Sequence, residues 1–185
     1  MENEIDSLKF PIGKYKAILD FNFSRTVEDI KTLESFAGDL RDSVKGLDKT
    51  DFKKSYRDGG MNIAQIIHHF CDTHTYAFLR TKHTLLEENP SVKMYEVSEF
   101  LTTPDSNVLD VKDSLNVIEG IHAKWVSLLK TLSEEDFKKT YYHSSRDKNI
   151  ILHEHVGMYA WHTKHHIEHI KMAKKNIKQK GKRAK

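Results

Sequence analysis

Apolar residues recur at helical intervals along four long stretches of this 185-residue chain, and few turn residues interrupt them. A helix with one apolar stripe must lay that stripe on another element, so the pattern restricts the chain to packed helices. The first stretch opens at Thr26 with Asp29 and runs through Ile30, Leu33, Phe36, Leu40 and Val44 to a stop near Gly46. A second begins at Asn62, three residues before Gln65 as in a capping box, and continues to about Glu88 ahead of Pro90. The third spans about Val108 to Leu132, with Leu115, Ile118, Ile121, Trp125, Leu128 and Leu129 on its buried side. The fourth starts near Ile151 and extends into the C-terminal tail. With only eight Gly and three Pro, the expectation is one all-α domain, a four-helix bundle packed antiparallel around a single core. The connection between Pro90 and Val108 is long enough to run the length of such a bundle, which leaves the connectivity open. It is expected to hold a short helix around Tyr95 to Leu101. Ser133 and Asp136 open a short turn, and Thr140 to Asn149 reads equally as a small hairpin or an irregular loop.

Charge is unevenly spread. Eight of the 30 Lys and Arg lie in residues 171–185, which hold no acid, leaving 22 basic against 27 acidic groups elsewhere. Residues 1–170 therefore form the expected domain and 171–185 a basic helix end and tail, a composition that suits a helix C-terminus. The acidic body carries no basic, aromatic-interleaved patch, so no nucleic-acid partner is expected. No apolar run is long enough to span a bilayer, the N-terminus is acidic, and the single Cys71 has no disulfide partner in the chain. These features predict a cytoplasmic protein with no membrane partner.

Chemistry concentrates in histidine. Four of the twelve fall in Trp161-His-Thr-Lys-His-His-Ile-Glu-His169, and His68, His69 and His74 form a second cluster. His162 and His166, four residues apart, lie about 40° from each other around a helix and about 6 Å apart along it, a spacing that lets two imidazoles converge on one divalent ion. Against the direction set by Leu152, Val156, Tyr159 and Ile170, His166 is about 40° off the core axis, His162 about 80°, His169 about 100° and His165 about 140°. Inward bias favours His166 and His162, with His169 an open alternative. One helix supplies two ligands, so a third must come from elsewhere. On the second helix, Ile63, Ile66, Ile67, Phe70 and Ala77 point the core direction at His74, whereas His69 begins a polar stripe with Thr73, Tyr76 and Arg80. Spacing leaves His69 and His74 even.

The ordered set of motifs resembles the DinB superfamily of four-helix metal proteins, and within it the YfiT-like type. The resemblance covers nearly the whole chain. It rests on Phe-Pro-Ile-Gly-Lys-Tyr-Lys at 10–16, Tyr-Arg-Asp-Gly-Gly at 56–60, the His68-His69 pair with Arg80 and Lys82, and Glu87-Glu88-Asn89-Pro90. It continues through Trp125 with Leu128-Leu129, Phe137 with Tyr142-His143, and Trp161-His162 leading to His165-His166-Ile167 and His169. The resemblance implies a zinc or nickel ion on His69, His162 and His166, a metal-dependent hydrolase acting on a small-molecule substrate, and a homodimer. It also implies an alternative, an S-transferase that activates a low-molecular-weight thiol such as bacillithiol. A non-enzymatic metal-binding stress protein is the further alternative.

Three imidazoles that leave coordination positions open suit either chemistry, because the ion can acidify water or activate a thiol as thiolate. Arg80 is the candidate for an anionic substrate group, since a guanidinium fork holds carboxylates bidentately. No general base is assigned. Glu168 and Asp72 lie near the ligands in sequence but point elsewhere around their helices.

Overall fold

A computed structural model of the chain describes residues 2–18, 20–92 and 97–183. Its helices are α1 (Glu2–Lys9), α2 (Phe23–Val44), α3 (Ile63–Leu86), α4 (Val97–Phe100), α5 (Lys112–Leu129), α6 (Glu134–Phe137) and α7 (Leu152–Arg183). The strands β1 (Ser91–Val92), β2 (Thr140–His143) and β3 (Lys148–Ile151) form one small sheet. The four long helices α2, α3, α5 and α7 are the bundle expected from the apolar periodicity. No helix among the described residues is long and apolar enough to cross a membrane.

Local chemistry sets the helix limits. The capping box of α3 closes as expected, with the Gln65 amide donating to Asn62 Oδ1 at 2.8 Å and the Asn62 amide donating to Gln65 Oε1 at 3.0 Å. The start of α2 lies earlier than the predicted Thr26. Asn22 is the cap, accepting from the Arg25 amide, while the Thr26 hydroxyl bonds back to the Asn22 carbonyl from inside the helix. Gly46, at φ 77°, adopts the left-handed conformation just past the end of α2. The third long helix is shorter than the predicted Val108 to Leu132, because Val108 is extended and its carbonyl accepts from His68 instead of starting a helical ladder. Within the Pro90 to Pro104 connection the short helix is observed at Val97–Phe100; Tyr95 and Glu96 of its expected span lie outside the described residues.

Apolar side chains gather into two clusters. One holds Phe36, Leu40, Ile63, Ile66, Ile67, Phe70, Ile118 and Ile170, the other Ile30, Leu33, Ala77, Trp125, Leu129, Leu152 and Val156. Helices α3 and α5 run from the first cluster to the second, and α2 and α7 run the opposite way. The expectation of simple antiparallel packing is thereby corrected. Helix α2 packs against α5 and α7, α3 against the same two, and each long helix has one parallel and one antiparallel neighbour. Because α3 and α5 point the same way, the chain between them must return along the bundle, which its length permits.

The segment left open between hairpin and loop is a hairpin. Thr140 pairs with Ile151 and His143 with Lys148, while β1 adds to β2 in parallel at Ser91↔Tyr142. Alternation along the strands buries Tyr141, His143 and Ile150, and Asp147 closes the turn at φ 47°.

Candidate metal centre

Between the two apolar clusters lies a layer of histidine. His74 of α3, His122 of α5 and His162 and His166 of α7 each occupy the chain positions that separate one cluster from the other. His69, His162 and His166 are brought together, each offering a ring nitrogen within 4.8 Å of the other two. The Nε2 atoms of His69 and His162 are 3.0 Å apart, and the His166 ring lies 4.9 Å from that of His69 and 4.6 Å from that of His162, centroid to centroid. Burial drives His69 down to about 4 and holds His162 and His166 well below the usual imidazole range, so all three are neutral near pH 7 and keep a lone pair.

Hydrogen bonds decide which nitrogen carries that lone pair. The Leu33 carbonyl can only accept, so His122 donates to it from Nδ1 at 2.8 Å and must accept at Nε2. His74 Nδ1 therefore donates to His122 Nε2 at 2.7 Å, which turns His74 Nε2 into the acceptor for His162 Nδ1 at 3.1 Å. The chain of bonds ends with His162 Nε2 unprotonated. A second run does the same for His166. His169 Nε2 donates to the Leu8 carbonyl at 3.2 Å, its Nδ1 accepts from His166 Nδ1 at 3.2 Å, and His166 Nε2 is left free. Both α7 imidazoles thus have their tautomer set through a second histidine that ends on a backbone carbonyl, the usual support of a metal-ligating ring.

These contacts place the remaining sequence candidates. His74, which periodicity favoured, is fully buried and supports His162 from behind, whereas His69 stands with His162 and His166. His165, His166 and His169 also come within 4.8 Å of one another. In that trio the bond to Leu8 and the bond from His166 occupy both nitrogens of His169. His169 is 1% exposed despite its angle, because Tyr56 stacks on it at 3.7 Å and α1 covers it. His165 stacks on Trp161 at 4.4 Å, and His68 is satisfied by Ser114 Oγ and the Val108 carbonyl. Neither Asp72 nor Glu168 lines the cavity beside the triad, and Glu168 pairs with Lys171.

That cavity, of about 240 Å³, is lined by His69, His162, Arg80, Arg146, Tyr15 and Trp161 among others. Arg80 is 5% exposed and donates from Nη1 to Tyr159 Oη at 3.4 Å. Three buried histidines, His122, His153 and His155, are not singled out by the sequence. His122 sits four residues after Ile118 and three before Trp125, and His153 and His155 one and three after Leu152; a histidine within an apolar stripe is the available signal.

The profile of the DinB superfamily matches residues 32–170. A Geobacillus kaustophilus protein named as an inferred metal-dependent hydrolase is 34% identical over 171 residues, covering 92% of this chain and 96% of its own. The inferred metal-dependent hydrolase YfiT of Bacillus subtilis is 33% identical over 164 residues, covering 89% and 92% respectively. The structure of YfiT, described as a four-helix bundle of unusual topology, superposes with a TM-score of 0.89 at 32% identity over 92% of this chain and 98% of that one. Fold, helix order and matched length agree: this chain belongs to the DinB superfamily.

Proposed function

We propose that the chain is a divalent-metal-dependent hydrolase whose ion, zinc or nickel, is held by His69, His162 and His166. One observation carries this reading: three neutral imidazoles from two helices gather within 4.8 Å of one another, the two on α7 with their lone-pair nitrogens set by the hydrogen-bond network, beside an open cavity. The names of the relatives support hydrolysis. A divalent ion with three imidazole ligands and open positions supplies Lewis acidity, which activates water or a thiol at neutral pH. The protein's own part is positional. His74 and His169 hold two ligand rings in place, Tyr15 and Trp161 wall the cavity, and Arg80 presents donors to an anionic substrate group.

The test is an elemental analysis of protein purified without chelator, followed by assays with esters, amides and thiol-plus-electrophile pairs before and after chelation. The expected result is one divalent ion per chain and ester or amide turnover that chelator abolishes and zinc or nickel restores. Turnover of thiol pairs alone would replace hydrolysis by S-transfer, and a metal-free, inactive protein that takes up no ion would refute the proposal.

The support of His162 makes its own prediction. His74→Leu removes the acceptor for His162 Nδ1 and is expected to weaken zinc binding about tenfold, while His74→Gln, whose amide can both accept from His162 and donate to His122, restores most of it. Competition with a chromophoric chelator measures both. Equal affinities for His74→Leu and the parent chain would show that the bond does not orient the ligand.

A further inference from the structure

The cavity beside the triad is lined by two guanidinium groups and by no carboxylate among the described residues. Arg80 reaches it from α3, buried at 5% exposure. Arg146 reaches it from the turn joining β2 to β3, an exposed side chain whose Nη1 lies 3.7 Å from Met158 Sδ and which forms no ion pair among the described residues. Two cations facing one space repel each other, and a bound dication adds to that repulsion, so the cavity as built favours an entering anion.

A third group points the same way. His143 is 3% exposed, and its Nδ1 accepts the backbone N–H of Arg146 at 3.2 Å, which leaves Nε2 as the protonated nitrogen. His143 lines the cavity beside both arginines. A ring N–H in a cavity wall can donate to a group that enters it. Burial and the neighbouring Arg146 and Arg80 push His143 down to about 4, so it enters as a neutral ring near pH 7. The hairpin thus has a structural reason to be there: β2 carries His143, the turn carries Arg146, and pairing of β2 with β1 and β3 holds both against α7.

We infer that this cavity receives a small-molecule substrate bearing an oxyanion, a carboxylate or a phosphate, held between Arg146 and Arg80 with the His143 Nε2–H as a further donor. The inference rests on the metal-site reading of the same cavity, because His69 and His162 line it together with the two arginines. The aromatic pair Tyr15 and Trp161, with ring centroids 5.8 Å apart, gives the remainder of the substrate an apolar face.

Succinate and inorganic phosphate are the probes, titrated at constant ionic strength into the 15N-labelled full chain, metal-free and zinc-loaded. The Trp161 indole N–H reports the cavity, and that of Trp125, buried and donating to Thr81 Oγ1, serves as the reference. The expected result is a saturable shift of Trp161 alone, already present without metal, with affinity lowered about tenfold by Arg146→Gln and partly recovered by Arg146→Lys. The probe that binds more tightly identifies the oxyanion as carboxylate or phosphate. A Trp161 signal unmoved by both probes, or equal affinities for the parent chain and Arg146→Gln, overturns the inference. Binding of succinate or phosphate by a chain that takes up no zinc would refute the metal reading and leave the anion site standing; zinc uptake without anion binding would do the reverse.

Discussion

Alanine at His69, His162 or His166 is expected to lower zinc affinity by about two orders of magnitude in each case. Metal sites built from four protein ligands yield about 10–16 kcal/mol, so one imidazole is worth about 3 kcal/mol, or roughly a hundredfold. The three losses should be similar because each ring offers a nitrogen to the same point. His162→Ala has a further cost, leaving His74 Nε2 buried with no donor. His165→Ala is the control, since that ring stacks on Trp161 and its loss should leave affinity within a factor of about two, the scatter expected of a neutral position. Competition titrations read the affinities, and far-UV circular dichroism shows that each variant keeps its helices. If His165→Ala lost as much affinity as His69→Ala, the ion would belong to the neighbouring trio on α7 instead.

Acid should unfold the metal-free chain steeply. His122 and His155 are held at about 4 and about 3, chiefly by burial, whereas an unfolded histidine titrates near 6.5. Above that value both states are neutral and the shifts have no effect. As the pH falls below it, the unfolded chain binds two protons that the folded chain refuses, so stability drops. The slope from these two residues is about 3 kcal/mol per pH unit around pH 5, with the other buried rings adding to it. Urea midpoints measured at pH 7, 6 and 5 test this, and a flat profile would contradict it. His155→Gln should flatten the slope by about half of that amount, because its amide can accept from the Tyr141 hydroxyl and donate to the Ala77 carbonyl without titrating.

Much of this was legible from residue spacing because long helices repeat. The stripe Ile63, Ile66, Ile67, Phe70, Ala77 is buried as the 3.6-residue period requires, and the Asn62 and Gln65 pair caps α3. Periodicity also drew attention to His74, and its inward direction was right. What spacing along one helix does not contain is the depth at which two helices meet. His69 stands at the edge of α3 facing the cavity and meets His162, while the more central His74 reaches only the back of that ring. The family resemblance carried the choice of His69 where angles left it even. His169 shows another limit, since its burial comes from α1 and Tyr56, elements that the apolar pattern of α7 does not describe. The hairpin was undecided because eight strand residues around a tight turn offer too few alternations to separate strand from loop, and with it Arg146 and His143 went unplaced.

His69 and His162 are 93 positions apart in the chain, on helices that pack side by side only after the long return connection has been laid down. A cation seated between them would therefore staple the second bundle helix to the last, across a span that an unfolded polypeptide does not present as a chelate. Occupancy favours the native form by mass action, adding about 2.7 kcal/mol when free metal exceeds its dissociation constant a hundredfold. Metal supply would then govern resistance to proteases as well as turnover, and the apo form would be the one cleared first.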